Sequence, residues 1–168
     1  MRSKRGAVIW MLLLVVIPTA CGYRFMEGGS LPGGLRRITV RMFSNRTAET
    51  GLEQVFTNAV IYEFTRSHIA ELVEEERAEA VLSGSIQSLQ VTTASRVSVQ
   101  TTTEMRISVY GQAKLTNAAG KTVWEGNGIS VQETYLLAGD VEVNKREKLK
   151  AVARRFAEKV FQQLTMDF

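Results

Sequence analysis

The chain has 168 residues, with 21 Lys and Arg against 17 Asp and Glu, for a formal charge of +4. Three of those cations, Arg2, Lys4 and Arg5, lie in the first five residues; without them the balance is 18 against 17, and no Lys/Arg run with interleaved aromatics occurs in the rest of the chain, which argues against nucleic acid as a partner. One Cys, one His and no Asp/Glu cluster at ligand spacing exclude an internal disulfide framework, argue against a metal site and call for no cofactor.

Residues 1–20 read as a secretory signal peptide. The three cations precede an unbroken apolar run of eleven residues, Ala7 to Ile17, and the small residues Thr19 and Ala20 come after it. A helix that crosses ~30 Å of hydrocarbon needs roughly twenty apolar residues, so a short transmembrane anchor is the weaker alternative. Cys21 comes next, and a lone thiol in an exported chain needs an explanation. The stretch resembles a bacterial lipoprotein cleavage box, in which the cysteine sulfur is diacylated and its freed amine acylated. Pro18 departs from that pattern, which prefers Leu there. Cleavage by the ordinary signal peptidase, with release of a free protein, is the competing reading. Two or more acyl chains give stable anchoring where one gives marginal binding. Gly22 and Tyr23 are not the acidic residues that retain some lipoproteins in the inner membrane, so the outer membrane is expected.

Residues 21–34 form a glycine-rich leader, with Gly28, Gly29, Gly33 and Gly34 around Pro32. Residues 35–168 are expected to form one domain. Arg36 to Phe43 alternates, with Ile38, Val40 and Met42 on one face, and reads as a strand. Thr50 and Glu53 fit a capping box. The helix that they would open carries Leu52, Val55, Phe56, Ala59, Val60 and Phe64 on one face and ends near Ser67. The acidic stretch Ile69 to Glu79 reads as a solvated loop, with room for a short strand at Leu72-Val73; its spacing does not support a calcium site.

Ala80 to Thr92 changes phase between Ile86 and Leu89, which predicts a bulge near Gln87-Ser88. Val97 to Leu115 alternates throughout, and Gly111 on its apolar face allows the next layer to approach. Asn117 to Gly120 reads as a hairpin turn, and Val123 to Tyr135 as the returning strand. After a loop over Leu136 to Val143, Asn144 is the expected cap of a last helix with the stripe Leu149, Val152, Ala153, Phe156, Val160, Phe161 and Leu164. The order β-α-β-β-β-α predicts an α+β two-layer sandwich, with two helices on one face of a mostly antiparallel four-stranded sheet. The other face carries Arg, Thr, Gln and Ser and is left for water or a partner.

Cys21-Gly22-Tyr23-Arg24-Phe25, then Leu31-Pro32 and the Ile38-Thr39-Val40 strand, resemble the start of the lipopolysaccharide-assembly lipoproteins, the LptE family. Ala80 to Ile86 and Trp124-Glu125-Gly126 extend the resemblance over the mature chain. It implies a non-enzymatic lipoprotein, seated in the lumen of an outer-membrane β-barrel of the LptD type that inserts lipopolysaccharide. It also implies that lipopolysaccharide itself is a partner, with the membrane reached through the lipid anchor. Phosphates are well matched by Arg and Lys. Of the exposed cations Arg96, Arg106, Lys114, Lys121 and Lys145, the first candidates for such contact are Arg96, Arg106 and Lys145; the alternative is ordinary surface charge.

Two other readings compete. A lipoprotein of another two-layer type, activating a cell-wall enzyme or forming part of a secretion pore, has the same anchor, spacer and domain. An enzyme needs a nucleophile and a base. The sole histidine, His68, stands beside Ser67 at a helix end, where adjacent residues do not share a face, so a structural role is expected. Trp124 and Phe56 are expected in the core.

Overall fold

The first strand breaks its own alternation, and the break shapes the core. The computed structural model describes residues 30–96, 103–137 and 140–166. The signal region, Cys21, Tyr23, Phe25, Val97 and Val99 lie outside the described residues. β1 (Arg37–Val40) takes up the middle of the strand expected over 36–43, a second short strand, β2 (Ser44–Asn45), forms just beyond it, and both pair in parallel with β4 (Ala80–Arg96). Val40 stands opposite Leu82 and Ser44 opposite Ser85, so four steps of chain run beside three. One extra residue reverses side-chain parity. Met42, expected inside, is therefore 59% exposed, and Phe43 is buried in its place.

The bulged backbone is satisfied from the first helix, α1 (Leu52–Ser67). The Phe43 amide donates to Thr57 Oγ1 at 2.9 Å, and that hydroxyl donates to the Glu53 carbonyl at 2.6 Å. The expected Thr50 capping box does not form. Gly51 occupies the N-cap in a left-handed conformation, φ 82°, with no side-chain cap. The Glu53 carboxylate instead accepts from Asn45 Nδ2 at 3.2 Å. At the other end His68 closes the helix, also left-handed, with its Nδ1 donating to the Arg66 carbonyl at 3.0 Å. That is the structural role expected for it.

α1 carries the chain back to the end where β1 began, so the next two strands run parallel to β1. β3 (Glu71–Leu72) pairs with β1 on its outer side, and β4 on its inner side. β5 (Thr103–Asn117) and β6 (Thr122–Leu136) then continue by antiparallel pairing. The sheet order is β3-β1-β4-β5-β6, with β2 beside β4. The α+β class and the two helices on one face are as expected. The sheet itself is mixed, with six strands in place of four, because Ser44–Asn45 adds a short strand beside β4 and the short strand at Leu72 joins the edge.

β4 has its bulge between Ile86 and Ser88, as its phase change predicts, and a second between Thr93 and Ser95. The turn at Asn117 to Gly120 places Gly120 at φ 79°. Between β5 and β6 the register slips at Asn127-Gly128, where Gly128 has φ 74°, and this brings Trp124 and Ile129 onto the same buried face despite their opposite parity. The last helix, α2 (Val141–Met166), begins three residues before the expected cap. Asp140 Oδ1 accepts from the amides of Glu142 and Val143, each at 3.1 Å, and takes the role expected of Asn144.

The helices meet the sheet through an aromatic cluster seated on two glycines. A Cβ on Gly84 would stand 2.1 Å from the Phe43 ring, and one on Gly111 would stand 3.0 Å from the Phe156 ring. Phe156 packs edge-on against Phe43, at 6.2 Å between centroids, and against Phe56, at 5.3 Å. The stripes Leu52, Phe56, Val60, Phe64 and Leu149, Val152, Phe156, Val160, Leu164 are all buried. α2 is fixed to β6 at its rim: Lys159 Nζ donates to the Ser130 carbonyl at 2.6 Å, and Arg155 Nε pairs with Glu133 at 2.7 Å. Leu31 and Pro32 are also buried, so the fold takes up the end of the glycine-rich stretch. No helix among the described residues is long and apolar enough to cross a membrane.

Candidate functional site: the open polar face of the sheet

Both helices cover one face of the sheet, so β5 divides its side chains cleanly. Ile107, Val109, Ala113 and Leu115 are buried, while Arg106, Tyr110 and Lys114 are exposed on the opposite face. Register places Arg106 between Thr92 and Thr134, Ser108 between Gln90 and Gln132, and Tyr110 between Ser88 and Ser130. Lys114 lies between Ser83 and Glu125. This face is a polar grid with scattered cations, as expected from the alternation.

The three cations singled out from the sequence do not come together. Arg106 is exposed on the open face and makes no ion pair among the described residues. Arg96 ends β4 opposite Thr103. Lys145 lies on α2, in the helix layer, where its ammonium contacts Glu49 Oε2 at 2.7 Å. That contact joins the start of α2 to the turn before α1, across 96 residues of sequence. The hydrogen bond to Glu49 holds the Lys145 ammonium above the usual lysine range, against the opposing pull of partial burial. Lys145 is thus a pin between α2 and the turn that leads into α1.

Two further ion pairs frame the other end of the face. Glu79 accepts from the backbone amides of Arg36, at 2.8 Å, and Arg37, at 3.2 Å, and from the Arg37 guanidinium. Those amide hydrogen bonds, with the Arg37 charge behind them, hold the Glu79 carboxyl below the usual carboxylate range. Arg41 pairs with Glu75, in the acidic stretch that reads as a solvated loop. Two of the five glutamates of that stretch therefore offset Arg37 and Arg41.

The open face is indented. A cleft of about 230 Å³ is lined by Ser83, Ser85, Gln112, Lys114 and Glu125 from the sheet and by Ser44 and Arg46 from the end of β2. In the sequence Lys114 is only one of five exposed cations, and Arg46 is part of a polar loop. The parallel pairing of β2 with β4, which brings Arg46 beside the sheet, has no local sequence signal.

A family model described as LptE, lipopolysaccharide-assembly, matches residues 35–167. No curated protein matches the chain at a significant level. Among solved structures, a protein from Xanthomonas campestris has a TM-score of 0.54 at 9% identity, covering 84% of this chain and 90% of its own. Lipoprotein B from Nitrosomonas europaea has a TM-score of 0.52 at 15% identity, covering 87% and 92%. A Chlamydia trachomatis protein has a TM-score of 0.51 at 11% identity, covering 79% and 99%. At such identities the likeness is one of fold.

Proposed function

Because the chain belongs to the LptE family of lipopolysaccharide-assembly proteins, we propose that it is the lipid-anchored partner and plug of an LptD-type β-barrel in the outer membrane. The observation that carries this reading is the family match over residues 35–167, essentially the whole folded domain. The architecture supports it. Helices confined to one layer leave a broad sheet face of Arg, Ser, Thr, Gln and Lys uncovered, and the lumen of a large barrel is polar. A folded body with such a surface fits there without burying unpaired apolar groups.

The anchor comes from the sequence: Cys21, acylated on sulfur and amine, would hold the domain at the periplasmic side of the outer membrane. Its role is placement. The same reading makes the protein non-catalytic, and His68, engaged at a helix end, is not a general base. Direct lipopolysaccharide contact is assigned to Arg106 and Arg96. Lys145, in the helix layer and paired with Glu49, would be a separate contact.

Depletion of the protein in the bacterium that encodes it tests this function. The expected result is loss of newly made lipopolysaccharide from the cell surface, with accumulation inside and loss of correctly assembled barrel. Normal surface lipopolysaccharide after complete depletion would sink the reading. Intact-mass analysis of the mature chain checks the anchor: a triacylated Cys21 is expected, and an unmodified one removes the tether.

A further inference from the structure

The cleft on the open face gathers solvent-facing donors that no protein acceptor engages. The Arg46 guanidinium, the Lys114 ammonium, the Ser83 hydroxyl and the Gln112 amide make no hydrogen bond or ion pair among the described residues, and all four line the same hollow. Ser85, 6% exposed, accepts from Gln87 Nε2 at 2.9 Å and keeps its own hydroxyl proton to give. The nearby Arg41 is occupied by Glu75. Donors outnumber the one carboxylate of the lining, Glu125, and such an excess suits an oxyanion.

Charge and size narrow the class. Arg46 and Lys114 against Glu125 leave one net positive charge in the lining. A carboxylate matches that balance. A phosphate group, at about −1.5 to −2 near neutral pH, exceeds it. The volume of about 230 Å³ is below the roughly 300–1,000 Å³ of pockets that enclose whole drug-sized ligands, so a side chain fits better than a free metabolite. Through Ser83 and Lys114 the cleft continues into a groove of about 480 Å³ along Arg41, Val81 and Thr116. That groove gives an extended backbone room to pass.

We propose that this cleft receives one Asp or Glu side chain of a partner protein, with Arg46 and Lys114 as the charged contacts and Ser83, Ser85 and Gln112 as neutral donors. The proposal rests on the reading that the domain works by seating inside a protein partner, and it names the contact chemistry on one face of that seat.

The test uses the full-length, ¹⁵N-labelled chain in detergent micelles. It is titrated separately with acetyl-Gly-Asp-Gly-amide, with the same peptide carrying Asn, and with inorganic phosphate. The amide resonances of Ser83, Ser85 and Gln112 are monitored by NMR. The Asp peptide is expected to give saturable shifts at all three, the Asn peptide none, and phosphate weaker binding than the Asp peptide. Arg46→Gln with Lys114→Gln is expected to raise the Kd for the Asp peptide at least tenfold while the rest of the spectrum stays unchanged. Absence of saturable shifts, equal shifts with the Asn peptide, or tighter binding of phosphate overturns the proposal. No barrel is present in the titration. A failure here removes the cleft as a carboxylate site and leaves the barrel partnership to be judged by co-purification.

Discussion

Gly84→Ala adds one methyl group where the structure has no room for it. The new Cβ would stand 2.1 and 2.6 Å from two atoms of the Phe43 ring and 2.7 Å from the Gln112 carbonyl. Phe43 is 1% exposed, and Phe156 closes the space behind it. Phe156 in turn lies against Phe56 and Gly111, so the strain has little outlet. Overpacking of this kind costs about 1–3 kcal/mol. Disturbing an aromatic pair adds about 0.5–1.5 kcal/mol, and the reduced freedom of the unfolded chain returns about 0.4–1 kcal/mol. The net expectation is about 2 kcal/mol of destabilisation. With an m-value of about 2 kcal/mol/M, the urea midpoint of the purified chain falls by about 1 M.

A double-mutant cycle isolates the cause. Phe43→Ala alone costs about 3–5 kcal/mol. In that background the methyl group at Gly84 no longer meets the ring but still stands 2.7 Å from the Gln112 carbonyl, so its added cost should fall without vanishing, a coupling of about 1 kcal/mol. An unchanged midpoint for Gly84→Ala, or simple additivity with Phe43→Ala, would refute the packing of Phe43 on the glycine, and with it the parity break in the first strand.

Other positions give independent checks. Thr57→Val leaves the Phe43 amide without its acceptor and should cost about 1–3 kcal/mol, whereas Thr57→Ser, which keeps the hydroxyl, should cost less; equal losses in urea melts would discard the bulge contact. Glu79 is held ionised below its ordinary range by the Arg36 and Arg37 amides. Its contribution is therefore present above the unfolded value, about pH 4.3, and is lost as pH falls through the lower folded value. The stability margin of the wild type over Glu79→Gln should show that profile, and a margin that persists in acid contradicts the assignment. Lys145 is shifted the other way by Glu49. Its contribution should be complete below about pH 10.4 and fade as pH rises through the raised folded value. Lys145→Met should cost about 0.5–1 kcal/mol at pH 7; no cost at low salt would mean that the pair does not pin α2 to the turn before α1.

The part of the fold legible in the sequence is the part carried by local periodicity. The helix stripes around Phe56 and Phe156, the bulge at Gln87-Ser88, the Gly120 turn and the close approach at Gly111 all arise from spacing within one segment. The rest depends on contacts between segments. Met42 and Phe43 exchange faces because β1 and β2 must stay in register with β4, a constraint that the local alternation of RRITVRMF does not contain. In place of the capping box at Thr50 the N-cap is a left-handed Gly51, and the Glu53 side chain is engaged by Asn45, eight residues back. Lys145 reads as a free cation because its partner, Glu49, is nearly a hundred residues distant. Arg46 gains interest only when parallel pairing places it beside Lys114. The parallel half of the sheet is equally hidden, since strand direction is set by where α1 delivers the chain.

The central claim, partnership with an outer-membrane barrel, is tested most directly by purifying the full-length tagged chain from solubilised outer membranes and identifying what accompanies it in stoichiometric amount. The account predicts one LptD-type β-barrel per chain, stable through size-exclusion chromatography. A chain that elutes without any barrel, from cells in which the barrel is present and folded, would contradict it.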